Sequence, residues 1–289
     1  MRNSKLTPVI LLLPLMAVTL TVIIACVNVL LQSIGYVPAF GLTKITLGYY
    51  REVFKRPEFL SALWVSLRIA FVSTLLAAAL GTLLCAALVK RRAGGGMLYT
   101  VRFPILVPHT VVALFIMTLL GQTGIVARAA YGLGLISDYT KFPQILFTPG
   151  YGGAIAGYFW KEIPFVAYYT LALMASVSNT LGEAAENLGA SPLRSFFSVT
   201  LPMSLPAVSK AALIIFIYAF GGYELPALLG STLPKALPVQ AYITYLSPDL
   251  LQRPLAMAMF GVILMLSVLM AALYSIGIRR LIKRLGGEA

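Results

Sequence analysis

Four stretches of this chain run for more than twenty residues without a charge: Pro8 to Leu31, Ile69 to Val89, Phe103 to Ala127 and Pro254 to Ile278. Each exceeds the roughly 20 apolar residues that cross a hydrocarbon core about 30 Å thick. Two less clean runs lie between the third and the fourth. One, over 152–177, carries Lys161 and Glu162; the other, over 205–223, ends at Gly221-Gly222, shortly before Pro226. The pattern predicts an all-α membrane protein of six transmembrane helices, at about 8–33, 63–89, 100–122, 152–177, 205–223 and 255–278. With no soluble domain, low-complexity tract or internal repeat between them, residues 1–289 read as a single transmembrane domain. Six crossings put both termini on one side.

Composition supports that class. Of 289 residues 60% are hydrophobic and 11% charged, against about 25% charged in soluble domains. The formal charge of +13 would suit a nucleic-acid binder, but Lys and Arg cluster at the ends of apolar runs rather than in a stripe interleaved with exposed aromatics. They read as orientation and lipid contact. One side collects twelve, from Arg2, Lys5, Lys90, Arg91, Arg92, Arg102, Arg194, Lys210, Arg279, Arg280, Lys283 and Arg284. The other has eight: Lys44, Arg51, Lys55, Arg56, Arg128, Lys141, Lys235 and Arg253. The dense groups at 90–92 and 279–284 abut helix ends, where positive charge favours the cytoplasm, so both termini are assigned there. Arg2, Lys5 and the run ending Ile23-Ile24-Ala25-Cys26 imitate a cleaved leader. The run continues past Cys26 to Leu31, longer than a signal h-region of about 7–15 residues, and reads as an uncleaved first span. Cys26 and Cys85 lack metal-ligand spacing and read as small apolar helix residues.

The connection 178–206, between spans four and five, is the most informative. Thr180-Leu181-Gly182-Glu183 fits a capping box, and Leu181, Ala184, Ala185 and Leu188 then recur on one helical face. Gly189 breaks that helix. Ser191-Pro192 restarts one, with an N-cap and a proline at the first helical position; Leu193, Phe196, Phe197 and Leu201 line its face, and Pro202 marks its end. Two short amphipathic helices around a glycine corner suit insertion into a partner's groove. Glu183 and Glu186 against a lone Arg194 make a poor face for anionic lipid, so a protein partner is favoured over the bilayer surface.

Glu183-Ala184-Ala185-x-x-x-Gly189-Ala190, followed by Val199-x-Leu201-Pro202, resembles the EAA loop of type I ABC importer permeases, with Val199 where that family has Ile. The resemblance extends over Tyr158 to Phe165 and over Gly222 to Gly230, and covers spans two to six. It implies the type I importer permease fold, with 178–206 as a coupling loop docked in a groove of a cytoplasmic ATPase through Glu183, Ala184, Ala185, Gly189, Ala190, Leu193, Phe196, Phe197, Leu201 and Pro202. It also implies two ATP-binding subunits, a second and homologous permease, and a periplasmic or lipid-anchored substrate-binding protein. No cofactor is expected on this chain: it has no G-x-x-x-x-G-K-[ST] loop, so ATP and Mg belong to the partner, and this is a transport subunit rather than an enzyme. The resemblance is closest to the branch that handles polyamines, ferric iron and thiamine, with polyamines ahead. A secondary transporter or channel independent of any ATPase is the alternative, and it would not need the helix–glycine–helix loop.

Ionisable groups at membrane depth are functional hypotheses by default. Lys161 and Glu162 lie about 15 Å into the fourth span at 1.5 Å per residue. Being adjacent, they are expected to point in different directions, either onto the translocation path or into contacts between helices. Glu224, with Tyr223, follows Gly221-Gly222 and precedes Pro226, where a helix break would line a cavity; an ordinary outer-loop acid is the alternative. If Lys161 and Glu224 both face the path, they are expected to pair. Arg68 is expected to snorkel to the outer interface, and the single His109 has no second ligand to make a metal site. The topology is testable. Single cysteines replacing Lys90 or Arg280 should react only from the cytoplasm, and at Lys44 or Lys141 only from outside. Labelling of the 44 and 280 positions from the same side contradicts six spans.

Overall fold

The computed structural model describes residues 7–284, and their side chains over 10–278. Arg2 and Lys5, and the side chains of Arg279, Arg280, Lys283 and Arg284, on which part of the orientation rests, lie outside the described residues. Thirteen α-helices make up nearly all of the described structure: α1 Thr7–Ser33, α2 Gly48–Lys55, α3 Pro57–Lys90, α4 Gly95–Leu106, α5 His109–Leu120, α6 Ile125–Gly132, α7 Gly152–Val177, α8 Glu183–Asn187, α9 Pro192–Ser195, α10 Leu201–Gly221, α11 Glu224–Leu229, α12 Leu237–Tyr245 and α13 Arg253–Arg284. The chain divides into two compact units, one of residues 1–60 and 240–266, the other of 61–239 and 267–289.

In the first unit α1 exposes most of its apolar side chains from Ile10 to Leu31, as a helix surrounded by lipid or by another subunit would. The Tyr50 hydroxyl donates to Ser33 Oγ at 2.9 Å, tying α2 to the end of α1, and Arg253 stacks 4.2 Å over the Tyr245 ring.

The second unit is built around α7, which packs against α4, α5, α10 and α11. Val166 is fully buried with Ala77, Ala211 and Ile215, and Ala167 and Met174 with Cys85 and Leu88, so Cys85 serves as a small packing residue, as expected. One set of connections is held by hydrogen bonds. Arg68 donates to the carbonyls of Pro149 and Gly150, the Tyr151 hydroxyl to Pro234 O at 2.8 Å, and the buried Leu237 amide to Ser66 Oγ at 2.8 Å. Arg68 thus fixes the approach to α7, because those two carbonyls precede the helix and have no donor within it.

Among the described residues, five segments are long and apolar enough to cross a membrane: Ile10–Ser33, Pro57–Lys90, His109–Gly132, Pro192–Gly221 and Leu250–Ile278. The fourth predicted span, 152–177, is the helix α7, which has the length but, with Lys161 and Glu162, not the apolarity of those five. Two predicted boundaries move. The span expected at 100–122 is broken into α4 and α5, since Pro108 has no N–H for the Pro104 carbonyl, which takes the Val107 amide instead at 3.3 Å. The span expected at 205–223 starts at Pro192, because Pro202 does not end a helix. It comes just after the π-turn at Phe196–Thr200, and the backbone stays helical through 192–221.

α10 and α11 are separated at Gly222-Tyr223, as the glycines predicted, with Gly222 extended at φ −70° and ψ 131°. Pro226 lacks the N–H that would have continued the helix onto the Gly222 carbonyl. Only glycine fits at 222, since an added Cβ would run into the hydroxyl of the buried Tyr158. Gly222→Ala should therefore cost about 1–3 kcal/mol and lower the Tm in detergent by several degrees. Adding Tyr158→Phe, which removes the obstructing oxygen, should restore most of the loss; no recovery in the double variant would contradict this packing.

Candidate functional site

The connection 178–206 is a helical hairpin. Its first arm is α7 itself, which passes through a π-turn at Ser178–Gly182 into α8 with all residues in the right-handed helical region. The expected capping box is therefore absent. With no new helix start there is no N-cap, and the Thr180 hydroxyl donates back to Ser176 O at 2.8 Å. The second arm restarts as expected: Ser191 Oγ accepts from the Arg194 amide at 3.3 Å, and α9 continues through a π-turn at Phe196–Thr200 into α10. Gly189 closes the tip at φ +95°. Its amide donates to Glu186 O at 2.9 Å and that of Ala190 to Ala185 O at 3.0 Å, the Schellman pattern that glycine serves best. Space around Gly189 is open within the chain, so its constraint is backbone conformation.

The two π-turns face each other. The buried Ser195 hydroxyl donates to Gly182 O at 3.0 Å, and Gly182 is a close-contact position, its would-be Cβ 3.2 Å from Thr200 Oγ1. At the tip Leu188 is 90%, Leu193 72% and Phe197 59% exposed, while Glu183, Ala184 and Pro202 are also exposed and Ala185, Ala190 and Leu201 partly covered. Phe196 departs from the predicted outer face. It packs on the core around Met174 and Leu88 and, with Leu193 and Phe197, lines a hollow of ≈ 380 Å³ beside the end of α3. Arg92, which follows α3, reaches Glu183 at 3.6 Å. The 90–92 basic group and the hairpin therefore share one end of the unit, as the charge pattern required.

The second cluster lies midway along α7, where the two helix breaks meet it. Tyr158, Lys161, Glu162 and Phe165 occupy positions i, i+3, i+4 and i+7 of one face. Lys161 Nζ donates to Val107 O at 2.6 Å, satisfying a carbonyl left without a helical partner by the α4/α5 break. His109, the first residue of α5, approaches Glu224, the first residue of α11, at 3.4 Å between Nδ1 and Oε2. The Tyr218 hydroxyl lies 3.1–3.2 Å from the His109 ring nitrogens, and Tyr158 and Tyr218 meet edge to face at 6.3 Å. A cavity of ≈ 210 Å³ opens here, lined by Ile105, His109, Lys161, Glu162, Phe165, Ile214, Ile215 and Tyr218.

Lys161 and Glu162 flank the stripe from either side, as adjacent helical residues do, and both are 8% exposed and border the cavity. One expectation changes. Glu224 pairs with His109 rather than Lys161, whose ammonium is committed to the backbone. The Glu224 side chain is 55% exposed, so it sits at the rim rather than in the interior, and Tyr223 beside it is exposed as well. His109 was weighed only as a metal ligand, and Tyr218 escaped the sequence reading. A histidine directly after the helix-breaking Pro108 was the available signal, since the first turn after a break faces whatever fills it. No group of three potential metal ligands occurs among the described residues.

Residues 73–285 match the family model for the binding-protein-dependent transport system inner membrane component. The chain is similar to the molybdenum transport system permease protein ModB of Haemophilus influenzae, with 24% identity across 78% of this chain and 96% of that one. It is also similar to two Escherichia coli proteins: the putrescine transport system permease protein PotI (26%, over 58% and 55%) and the sulfate transport system permease protein CysT (26%, over 79% and 80%). Among solved structures, a bacterial alginate ABC transporter complex superimposes with a TM-score of 0.74 at 18% identity, over 96% of this chain and 98% of that one. The MetNI methionine ABC transporter gives 0.53 at 18%, over 78% and 94%. These two likenesses establish the fold.

The pairing in the second cluster is open to a double-mutant cycle on thermal unfolding. His109→Gln and Glu224→Gln should show a coupling of about 0.5–1 kcal/mol, as expected of groups in contact, and Lys161→Met with Glu224→Gln much less. Lys161→Met alone should cost about 1–3 kcal/mol by orphaning the Val107 carbonyl. A larger coupling of Glu224 to Lys161 than to His109 would overturn the assignment.

Proposed function

Because the chain belongs to the family of binding-protein-dependent transport system inner membrane components, multi-pass permeases of ABC import systems, we propose that it passes a small polar solute to the cytoplasm by alternating access, driven by ATP hydrolysed on a separate subunit. The observation that carries the coupling role is the hairpin. Its tip holds Leu188, Leu193 and Phe197 in the open on two arms locked together by Ser195 and Gly182. A rigid apolar tip is what a groove on a partner protein can grip. Two cytoplasmic ATPase subunits, carrying ATP and Mg, receive that tip and its counterpart on a second, homologous permease. Glu183, Ala184, Ala185, Gly189, Ala190, Leu193, Phe197, Leu201 and Pro202 form or shape the docking surface, and Phe196 anchors it from inside. A periplasmic or lipid-anchored binding protein delivers the solute at the opposite end.

The arms explain how docking reaches the path. The backbone is helical without interruption from Gly152 to Asn187, so Lys161 and Glu162 sit on the same rod as the tip, about 40 Å away at 1.5 Å per residue. A displacement of the tip moves the residues that hold the two breaks. Lys161, Glu162, Tyr223 and Glu224 are then positions on or beside the translocation path, and the breaks are the backbone that rearranges. Polyamine-like cations are the favoured solute: the rim carries Glu224, and a putrescine system permease is among the similar proteins.

Leu193→Ala and Phe197→Ala together should abolish co-purification of the ATPase and cut ATP-driven uptake in vesicles at least tenfold, taking about 1–2 kcal/mol per exposed anchor, with the variant still inserted in the membrane. Phe196→Ala should instead lower the Tm. Gly189→Ala, strained at a positive φ, should weaken coupling without filling any internal space. Uptake by wild-type vesicles that persists without ATP would favour an ATPase-independent transporter, and normal ATPase binding by the double variant would remove the docking role.

A further inference from the structure

Glu162 is the one charged group of the second cluster that no hydrogen bond or close ion pair holds among the described residues, although the Lys161 ammonium borders the same cavity. It is 8% exposed and borders the ≈ 210 Å³ cavity. Its neighbours have partners: Lys161 holds Val107 O at 2.6 Å, and His109 holds Glu224 and Tyr218. A buried carboxylate without a hydrogen-bond donor is costly in a low-dielectric surrounding, and with Lys161 Nζ given to Val107 O the donor that Glu162 lacks is one that a bound solute can bring. The walls are apolar and aromatic, from Ile105, Phe165, Ile214, Ile215 and Tyr218. Ring faces attract cations, and at about 30 Å³ per water molecule the cavity admits an organic group of several heavy atoms.

We infer that this cavity is a solute subsite of the permease itself, taking the protonated amine of a small aliphatic cation, with Glu162 as counter-ion and Phe165 and Tyr218 against its methylenes. The inference rests on the permease reading and deepens it, by placing selectivity in this chain as well as in the binding protein. An oxyanion is disfavoured on two counts. Glu162 would repel it, and recruiting Lys161 to bind it would reopen the Val107 carbonyl at the break. The cavity thus separates cationic solutes from the molybdate-like or sulfate-like ones that a permease of this family can carry.

The test uses the assembled permease–ATPase complex in nanodiscs, without the binding protein, and radiolabelled putrescine as the probe. Saturable binding is expected, uncompeted by sulfate, and weakened at least about tenfold by Glu162→Gln through loss of a charge-assisted hydrogen bond; Glu162→Asp should fall between. Carbodiimide modification of Glu162 in the wild-type complex supplies a readout independent of any variant, and should be slowed by putrescine and not by sulfate. Absence of saturable binding, equal competition by sulfate, wild-type affinity in Glu162→Gln, or modification unaffected by putrescine would each overturn the subsite. ATP-driven uptake by the wild-type complex with its binding protein is followed in parallel. Loss of that uptake speaks against the permease reading, whereas intact uptake with no putrescine binding removes the subsite alone.

Discussion

Inside a bilayer a helix cannot be interrupted unless the protein supplies partners for the backbone groups that the interruption frees. Two interruptions meet α7 in this chain, each written by a proline that withholds an N–H one turn further on: Pro108 from Pro104, and Pro226 from Gly222. The ammonium of Lys161 answers the first, on Val107 O at 2.6 Å. The second is packed against Tyr158, whose hydroxyl occupies the volume that any side chain at 222 would need. The ammonium of Lys161 is thereby the condition for the break between α4 and α5. The break in turn turns His109 and Glu224 toward each other at the starts of two helices.

Because those breaks are held from α7, the properties of α7 govern the site. It is buried on most sides by α4, α5, α10 and α11, and it runs on as the first arm of the hairpin. The hairpin is stiff for a local reason. Where the arms cross, each has a π-turn, and the carbonyl of Gly182 finds the Ser195 hydroxyl across the gap; π-turns of this kind recur at functional positions. The exposed Leu188, Leu193 and Phe197 are left at the tip with little freedom to fold back. A rigid connection from an apolar tip to two satisfied helix breaks is the mechanical basis we propose for coupling ATP binding on a partner to rearrangement at the breaks.

Much of this was legible in the order of residues. The long uncharged runs predicted the spans, Gly189 and Ser191-Pro192 the hairpin turn, and Gly221-Gly222 with Pro226 the break before α11. What escaped has identifiable causes. Thr180-x-x-Glu183 satisfies the capping-box pattern equally well inside a continuous helix, where threonine bonds back to the preceding turn, so the motif cannot say whether a helix begins there. Pro202 reads as a stop because its position relative to a π-turn is not encoded locally. Pro108 was treated as a residue within a span, although its missing N–H is also what makes the Val107 carbonyl available to Lys161. The pairing of His109 with Glu224 depends on bringing α5 and α11 together across more than one hundred residues, which no local pattern contains. The shared face of Tyr158, Lys161, Glu162 and Phe165, by contrast, follows from helical spacing alone.

Coupling through α7 is tested most directly by hydrogen–deuterium exchange on the assembled complex, with and without a non-hydrolysable ATP analogue, read at amides 107–112 and 222–227. Nucleotide should change exchange at both breaks, and Leu193→Ala with Phe197→Ala should abolish that change while leaving exchange in the nucleotide-free complex as in wild type. A nucleotide response confined to the hairpin, or one at the breaks that survives loss of the apolar tip, would contradict it.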